Sequence, residues 1–210
     1  MSVLSLTTDM EQLSFFNEPE NYKLPPDLLD YRPGVFDTNE SVSLLETLIG
    51  ETAWLQETVQ MYGKMIKTPR LTAWYGDNDK TYTFSGNKYH PLPWTLQLQR
   101  IKARIEPLAG MVFNTVLLNY YRDGNDSVAW HSDDEYELGY KPVIASLSFG
   151  QERRFDIRNK QDHQLKYSVN LQNGSLLLMK GDLQQYWEHR IPKSTKPMKA
   201  RVNLTFRVIQ

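Results

Sequence analysis

The chain has 210 residues, 40% of them apolar, with 12 tyrosines and 5 tryptophans, enough to bury the core of one domain with short decorations. It has no cysteine, which excludes disulfides, thiolate zinc sites, iron–sulfur clusters and cysteine nucleophiles and leaves His, Asp and Glu as the only metal ligands. A formal charge of −1 and a pI near 6.4 give no overall basic bias, so any nucleic-acid role would need a local basic surface.

Residues 1–36 mix acids, prolines and aromatics without sustained periodicity and read as an extended arm over a core. This start lacks the basic-then-apolar order of a signal peptide, and runs such as Ser175 to Met179 are too short to cross a bilayer. The reading is a soluble, intracellular chain with no membrane partner. Between Thr38 and Gly50, Val42, Leu45, Leu48 and Ile49 follow helical spacing behind the N-cap types Asp37, Thr38 and Asn39. A second helix is predicted from Trp94 to Ile105, with Trp94, Leu98, Ile101 and Ile105 on one stripe.

After Gly110 the helical spacing gives way to short runs rich in β-formers, bounded by Gly, Asn, Asp or Lys. They are Val112 to Tyr121, Val143 to Phe149, Arg154 to Ile157, Tyr167 to Leu171, Ser175 to Met179, Tyr186 to Ile191 and Arg201 to Ile209. So many strands without intervening helices predict an α+β, mainly β fold, an antiparallel barrel or jelly roll buttressed by the earlier helices. The expected organisation is an arm over 1–36, a helical buttress over 37–110 and a β core over 111–210.

His131-Ser132-Asp133 puts an imidazole and a carboxylate on the same side of an extended segment, and His189 lies on another predicted strand. Two imidazoles and one carboxylate on one face of a metal leave positions open for oxygen and a bidentate co-substrate, as a non-haem iron(II) oxygenase requires. The remaining histidines, His90 and His163, sit in polar surroundings that suit solvent.

In the last strand Arg201, Asn203, Thr205 and Arg207 alternate strictly with Val202, Leu204, Phe206 and Val208. Alternation alone also fits a solvated edge strand. In a small barrel the apolar face packs outward under the helices and turns both arginines inward, where a guanidinium calls for an anion such as a dicarboxylate. Asn119 and Tyr121 share a strand face and can reach the same ligand, although a core tyrosine with a satisfied hydroxyl explains Tyr121 equally well.

Taken together, Asn119-x-Tyr121, His131-x-Asp133, His189 and Arg201-Val-Asn-Leu-Thr-Phe-Arg207 resemble the AlkB family of nucleic-acid-repair dioxygenases in identity, order and spacing. The likeness extends through Pro69-Arg70, Tyr75-Gly76-Asp77, Thr81 to Gly86, Phe149-Gly150 and Gly174 to Met179, over roughly residues 55–210, and leans toward the eukaryotic homologues that repair double-stranded DNA. It implies a double-stranded β-helix core, and a nucleotide-recognition lid within 37–110. By this resemblance His131, Asp133 and His189 bind Fe(II), and Asn119, Tyr121, Arg201, Thr205 and Arg207 hold 2-oxoglutarate, with Asn203 a further contact. O2 is the oxidant, and either Arg201 or Arg207 pairs the distal carboxylate.

The same likeness makes Tyr82 and Phe84, with Ser85, Arg70 and Glu135, the pocket for a flipped base. In Gln60-Met-Tyr-Gly63, Tyr62 is either a wedge into the duplex or a strand core residue. Lys64, Lys67, Arg70, Arg153, Arg154, Arg158 and Lys160 either form a phosphate-contacting rim or spread over solvated loops. The implied activity is oxidative demethylation of 1-methyladenine and 3-methylcytosine in DNA, or in RNA, by a monomer that is nuclear in a eukaryote and cytoplasmic in a prokaryote. The rival expectation keeps the cofactors but acts on a protein or a small molecule.

Overall fold

Asp37 starts the first helix: its carboxylate accepts the Glu40 N–H at 2.9 Å, satisfying one of the donors that a helix leaves open. The computed structural model describes the backbone of residues 24–61, 63–80, 82–84 and 87–210, and within these spans not the side chains of 60, 61, 82–84 and 87–89. In chain order the first half comprises β1 (Leu29–Arg32), α1 (Thr38–Glu51), β2 (Thr58–Met61), β3 (Lys64–Lys67), β4 (Leu71–Gly76), β5 (Tyr82–Phe84), β6 (Asn87–Tyr89), β7 (Leu92–Pro93) and α2 (Leu96–Ala109). The second half comprises β8 (Thr115–Tyr121), β9 (Val128–His131), β10 (Ile144–Gly150), β11 (Arg153–Asn159), β12 (Lys166–Leu171), β13 (Ser175–Met179), α3 (Leu183–Tyr186), β14 (Trp187–Ile191) and β15 (Arg201–Arg207).

The strands build a seven-stranded sheet, in the order β1-β13-β10-β15-β8-β4-β7, and a four-stranded sheet, β12-β11-β14-β9. Period-two alternation decides what each face meets. On β13, Leu176 and Leu178 join Leu44 and Leu48 of α1 and Leu98, Ile101 and Ile105 of α2 in one apolar cluster. Leu177 and Met179 of the same strand join Phe155, Ile157, Val169, Leu171 and Ile191 of the four-stranded sheet in another. The result is a jelly-roll core of two facing sheets, buttressed by helices on the outer face of the larger one.

The last strand behaves as its alternation predicts: Val202, Leu204 and Phe206 pack toward the helices, and Arg201, Asn203, Thr205 and Arg207 line a cavity on the opposite face. Helix α2 starts at Leu96, two residues after the predicted start, because Thr95 is the cap and accepts the Leu98 N–H at 3.2 Å. Trp94 instead lies flat over Phe206, with ring centroids 6.4 Å apart.

Several strands escaped the pattern reading. Residues 29–32 of the expected arm pair with β13 as the edge strand β1. Strand β4 lies between β8 and β7, and its Thr72, Ala73, Tyr75 and Gly76 are buried on both faces, which removes the alternation that would have marked it. Strand β9 is only four residues long and carries one exposed and three half-buried positions. The hairpin expected around Gln60 to Gly63 is present as β2 and β3, turning at Gly63 with φ +76°.

Candidate metal centre and co-substrate cavity

Strand pairing assembles the metal ligands. His131 closes β9 directly opposite His189 on β14, with ring centroids 4.3 Å apart, and Asp133 follows two residues later. One ligand atom from each of His131, Asp133 and His189 lies within 4.8 Å of the others. Among the described residues His131 Nδ1 has the Ala129 carbonyl as its hydrogen-bonding partner, 2.9 Å away. Because a carbonyl can only accept, Nδ1 carries the proton and Nε2 keeps its lone pair for a metal.

Asp133 is held from two sides. Its backbone N–H donates to Gln184 Oε1, and Arg207 Nη2 donates to its Oδ2, both at 2.9 Å. Burial opposes ionisation of Asp133, yet Arg207, His189 and His131 outweigh it and keep the carboxyl well below the usual carboxylate range. Burial, reinforced by the neighbouring His131, pushes His189 down to about 3, so its imidazole is neutral at physiological pH. An ionised Asp133 beside a neutral His189 is the protonation state in which these groups ligate a divalent metal.

Behind the ligands lies a cavity of about 170 Å³. Asn119, Tyr121, Arg201, Asn203, Thr205 and Arg207 all line it, together with the three candidate metal-ligand residues, Arg70 and Glu135. Arg201 is 1% exposed and donates from Nη2 to Ser148 Oγ at 2.9 Å, while among the described residues its Nε and Nη1 have no hydrogen-bond partner of ordinary length, the Tyr121 hydroxyl being its further polar neighbour. Burial pushes its guanidinium down to about 10, so it remains a cation, and among the described residues it pairs with no carboxylate. A buried cation with two undirected donors on a cavity wall fits one end of a dicarboxylate.

The other expected site residues divide by location. Tyr121 is both a 2% exposed core residue and a cavity residue, so the two readings of it coincide. Both amide hydrogens of Asn203 are engaged, with Ser146 Oγ and the Leu147 carbonyl at 2.9 Å each, and its Oδ1 accepts from Thr205 at 3.1 Å. Its donors therefore fasten β15 to β10. Arg70 Nε donates to Asn119 Oδ1 at 2.7 Å, which joins a residue assigned to the base to one assigned to the co-substrate. The side chains of Tyr82 and Phe84, and all of Tyr62 and Ser85, lie outside the described residues. His90 and His163 are exposed, as anticipated.

One residue read with the basic rim is misplaced by that reading. Arg153 is 2% exposed and its guanidinium donates to the backbone carbonyls of Asp123, Asp126 and Pro192. The inward turn follows from strand parity, since Arg153 shares its face of β11 with Phe155 and Ile157. Gln184, which orients Asp133, gave no sequence signal, because a glutamine on a four-residue helix resembles any surface residue until tertiary structure buries it to 3%.

Comparison with known proteins agrees with this geometry. The 2OG-Fe(II) oxygenase superfamily model matches residues 29–207. The alpha-ketoglutarate-dependent dioxygenase alkB homolog 3 of Rattus norvegicus is 42% identical over 186 residues, covering 84% of this chain and 62% of the relative. The DNA oxidative demethylase ALKBH2 of Bos taurus is 42% identical over 158 residues, covering 72% of this chain and 57% of the relative. This chain thus spans about three fifths of the length of these curated relatives. The solved structure of OsALKBH1 shares the fold, with a TM-score of 0.63 at 16% identity, over 88% of this chain and 99% of that one. With a superfamily match across most of its length and this degree of identity to the homologues, the chain belongs to the 2OG-Fe(II) oxygenase superfamily and, within it, to the AlkB family.

Proposed function

We propose that the protein is an Fe(II)- and 2-oxoglutarate-dependent dioxygenase that repairs DNA by direct oxidative demethylation of bases alkylated on the Watson–Crick edge, 1-methyladenine and 3-methylcytosine, with RNA as a further substrate. The observation that carries this reading is the convergence of His131, Asp133 and His189 at a cavity that also presents the open donors of Arg201. Membership of the superfamily brings Fe(II), 2-oxoglutarate and O2. The nucleic-acid assignment draws on the relatives, of which ALKBH2 is named a DNA oxidative demethylase.

Iron with 2-oxoglutarate and O2 supplies the oxidation of an N-methyl carbon, with succinate and CO2 as co-products and the hydroxylated methyl leaving as formaldehyde. The protein's part is to bind, orient and shield. His131, Asp133 and His189 would hold the metal, while Gln184 fixes the backbone of Asp133 and Arg207 fixes its carboxylate. Arg201 would receive the distal carboxylate, since it pairs with no carboxylate whereas Arg207 already pairs with Asp133, with Tyr121, Asn119 and Thr205 completing that end. Glu135, on the cavity wall beyond Asp133, would approach the base edge, with Tyr82, Phe84, Ser85 and Arg70 around it and Tyr62 entering the duplex.

A basic surface supports a polyanionic substrate. On the outer face of the four-stranded sheet, Arg158 and Arg190 stack on Trp130 at 4.1 and 4.5 Å from Cζ to the ring centroid. With Arg154 and Lys166 they outnumber Asp156 and Glu188 on that face, and Lys64 and Lys67 are exposed on β3. We further propose a monomer, nuclear in a eukaryote and cytoplasmic in a prokaryote, with a recognition lid within 37–110 set on a β core to which β1, β4 and β7 also contribute strands. Among the described residues no helix is long and apolar enough to cross a membrane.

The test is to incubate the protein with Fe(II), 2-oxoglutarate, ascorbate and air on an oligonucleotide carrying one 1-methyladenine and to follow loss of the methyl mass, with His131→Ala as control. Demethylation that needs both cofactors and vanishes in the control establishes the proposal. Turnover of 2-oxoglutarate without demethylation of DNA or RNA overturns the nucleic-acid assignment in favour of a protein or small-molecule substrate.

A further inference from the structure

Arg153 does not line the cavity, yet it stands directly behind a residue that does. Its Cζ lies 5.6 Å from the centroid of the Tyr121 ring, and the Cζ of Arg201 lies 5.0 Å from the same centroid. Two guanidiniums thus lie against one phenol ring, both at 2% exposure or less. Among the described residues neither forms an ion pair with a carboxylate; the oxygens of Asp126, which attracts Arg153 at longer range, bond to Arg122. Arg153 instead donates to three main-chain carbonyls, those of Asp123 and Asp126 in the loop that leaves β8 and that of Pro192 just past β14.

Two features of this arrangement go beyond filling a core. First, Arg153 donates only to neutral carbonyls, with Asp126 and Asp123 acting on it at longer range, so the end of the cavity holding Arg201 has a second, fixed positive charge against the same Tyr121 ring. An apolar residue would fill the same space without that cost. Secondly, the three carbonyls tie the strand that carries Asn119 and Tyr121 to the strand that carries His189, fixing the co-substrate end of the site relative to the metal end.

We propose that Arg153 is a positioning residue for 2-oxoglutarate: it clamps the Tyr121 ring against Arg201 and strengthens the attraction of that end of the cavity for the distal carboxylate. The proposal rests on the co-substrate reading above. It assigns Arg153 no contact with the ligand, and no contact with nucleic acid.

The test is calorimetric titration of 2-oxoglutarate into the Mn(II)-loaded protein without oxygen, paired with steady-state demethylation, for wild type, Arg153→Met and Arg153→Lys. The expected result for Arg153→Met is a rise in the Kd and KM for 2-oxoglutarate on the order of ten-fold, as for one buried charge at an effective dielectric of about 20. The kcat at saturating co-substrate and the KM for the oligonucleotide should stay within about a factor of two. Arg153→Lys, which keeps the charge but not the three-way donation, should fall between. An unchanged Kd for 2-oxoglutarate overturns the proposal, and so does a joint loss of kcat and of both KM values, which would mark Arg153 as a support of the fold alone. If Arg153→Met does not fold, by circular dichroism, the same criteria applied to Arg153→Lys decide. Absence of 2-oxoglutarate binding by the wild type would instead overturn the co-substrate reading itself.

Discussion

Replacing Arg201 with methionine should move affinity and stability in different directions. The side chain is 1% exposed, with Nε and Nη1 unpartnered and Nη2 on Ser148. If the two open donors meet the distal carboxylate, their loss removes two charge-assisted hydrogen bonds worth about 1.5–3 kcal/mol each, so the Kd for 2-oxoglutarate should rise by roughly 10²–10⁴. In the ligand-free protein the same change exchanges a buried, unpaired cation for an apolar chain of similar length. That exchange is favourable by about 1–4 kcal/mol, less about 1 kcal/mol for the Ser148 hydroxyl left behind. For a domain of this size each kcal/mol moves Tm by about 2–4 °C, so the apo variant should melt at the wild-type temperature or up to roughly 10 °C higher. Calorimetric titration and differential scanning calorimetry on the same preparation read both effects. Retained 2-oxoglutarate affinity, or a clear fall in the apo Tm, would falsify the assignment of Arg201 as a cation held ready for an anion.

Other perturbations test other parts of the structure. Gln184→Leu removes the acceptor of the Asp133 N–H and should weaken Mn(II) binding by about 10–100-fold, read by electron paramagnetic resonance, with little change in fold. Gly174→Ala should cost about 2–4 kcal/mol, because the residue sits at φ +72° and an added Cβ meets the Phe36 carbonyl oxygen; a thermal melt within a degree of wild type would contradict this. Burial works against ionisation of Asp156, but Ser168, Arg190 and Arg154 hold its carboxyl below the ordinary range. Its folded pKa is depressed, so the stability it contributes is complete above the ordinary carboxylate pKa of about 4 and is lost as pH falls through the folded value. Asp156→Asn should therefore lower Tm at neutral pH, and the gap from wild type should close on acidification; a gap independent of pH would show that the charge is irrelevant.

What the sequence by itself determined is whatever a short-range period or a fixed spacing can encode. The alternation of β15 sent Val202, Leu204 and Phe206 to the helices and both arginines to the cavity, because a strand has only two faces and one was apolar. The spacing of His131 and Asp133, with the AlkB-like ending, pointed to a triad with His189, and the three ligand atoms do converge within 4.8 Å. Only the tertiary structure could decide the rest. Strand β4 is buried on both faces and so carries no alternation, and β9 is too short for a pattern. Arg153 looked like one more surface cation until its strand partners turned it inward onto three carbonyls, and Gln184 acquired its function only when a four-residue helix brought it to Asp133. In each case the meaning of a polar residue depends on what long-range pairing places around it, and local sequence contains no record of that neighbour.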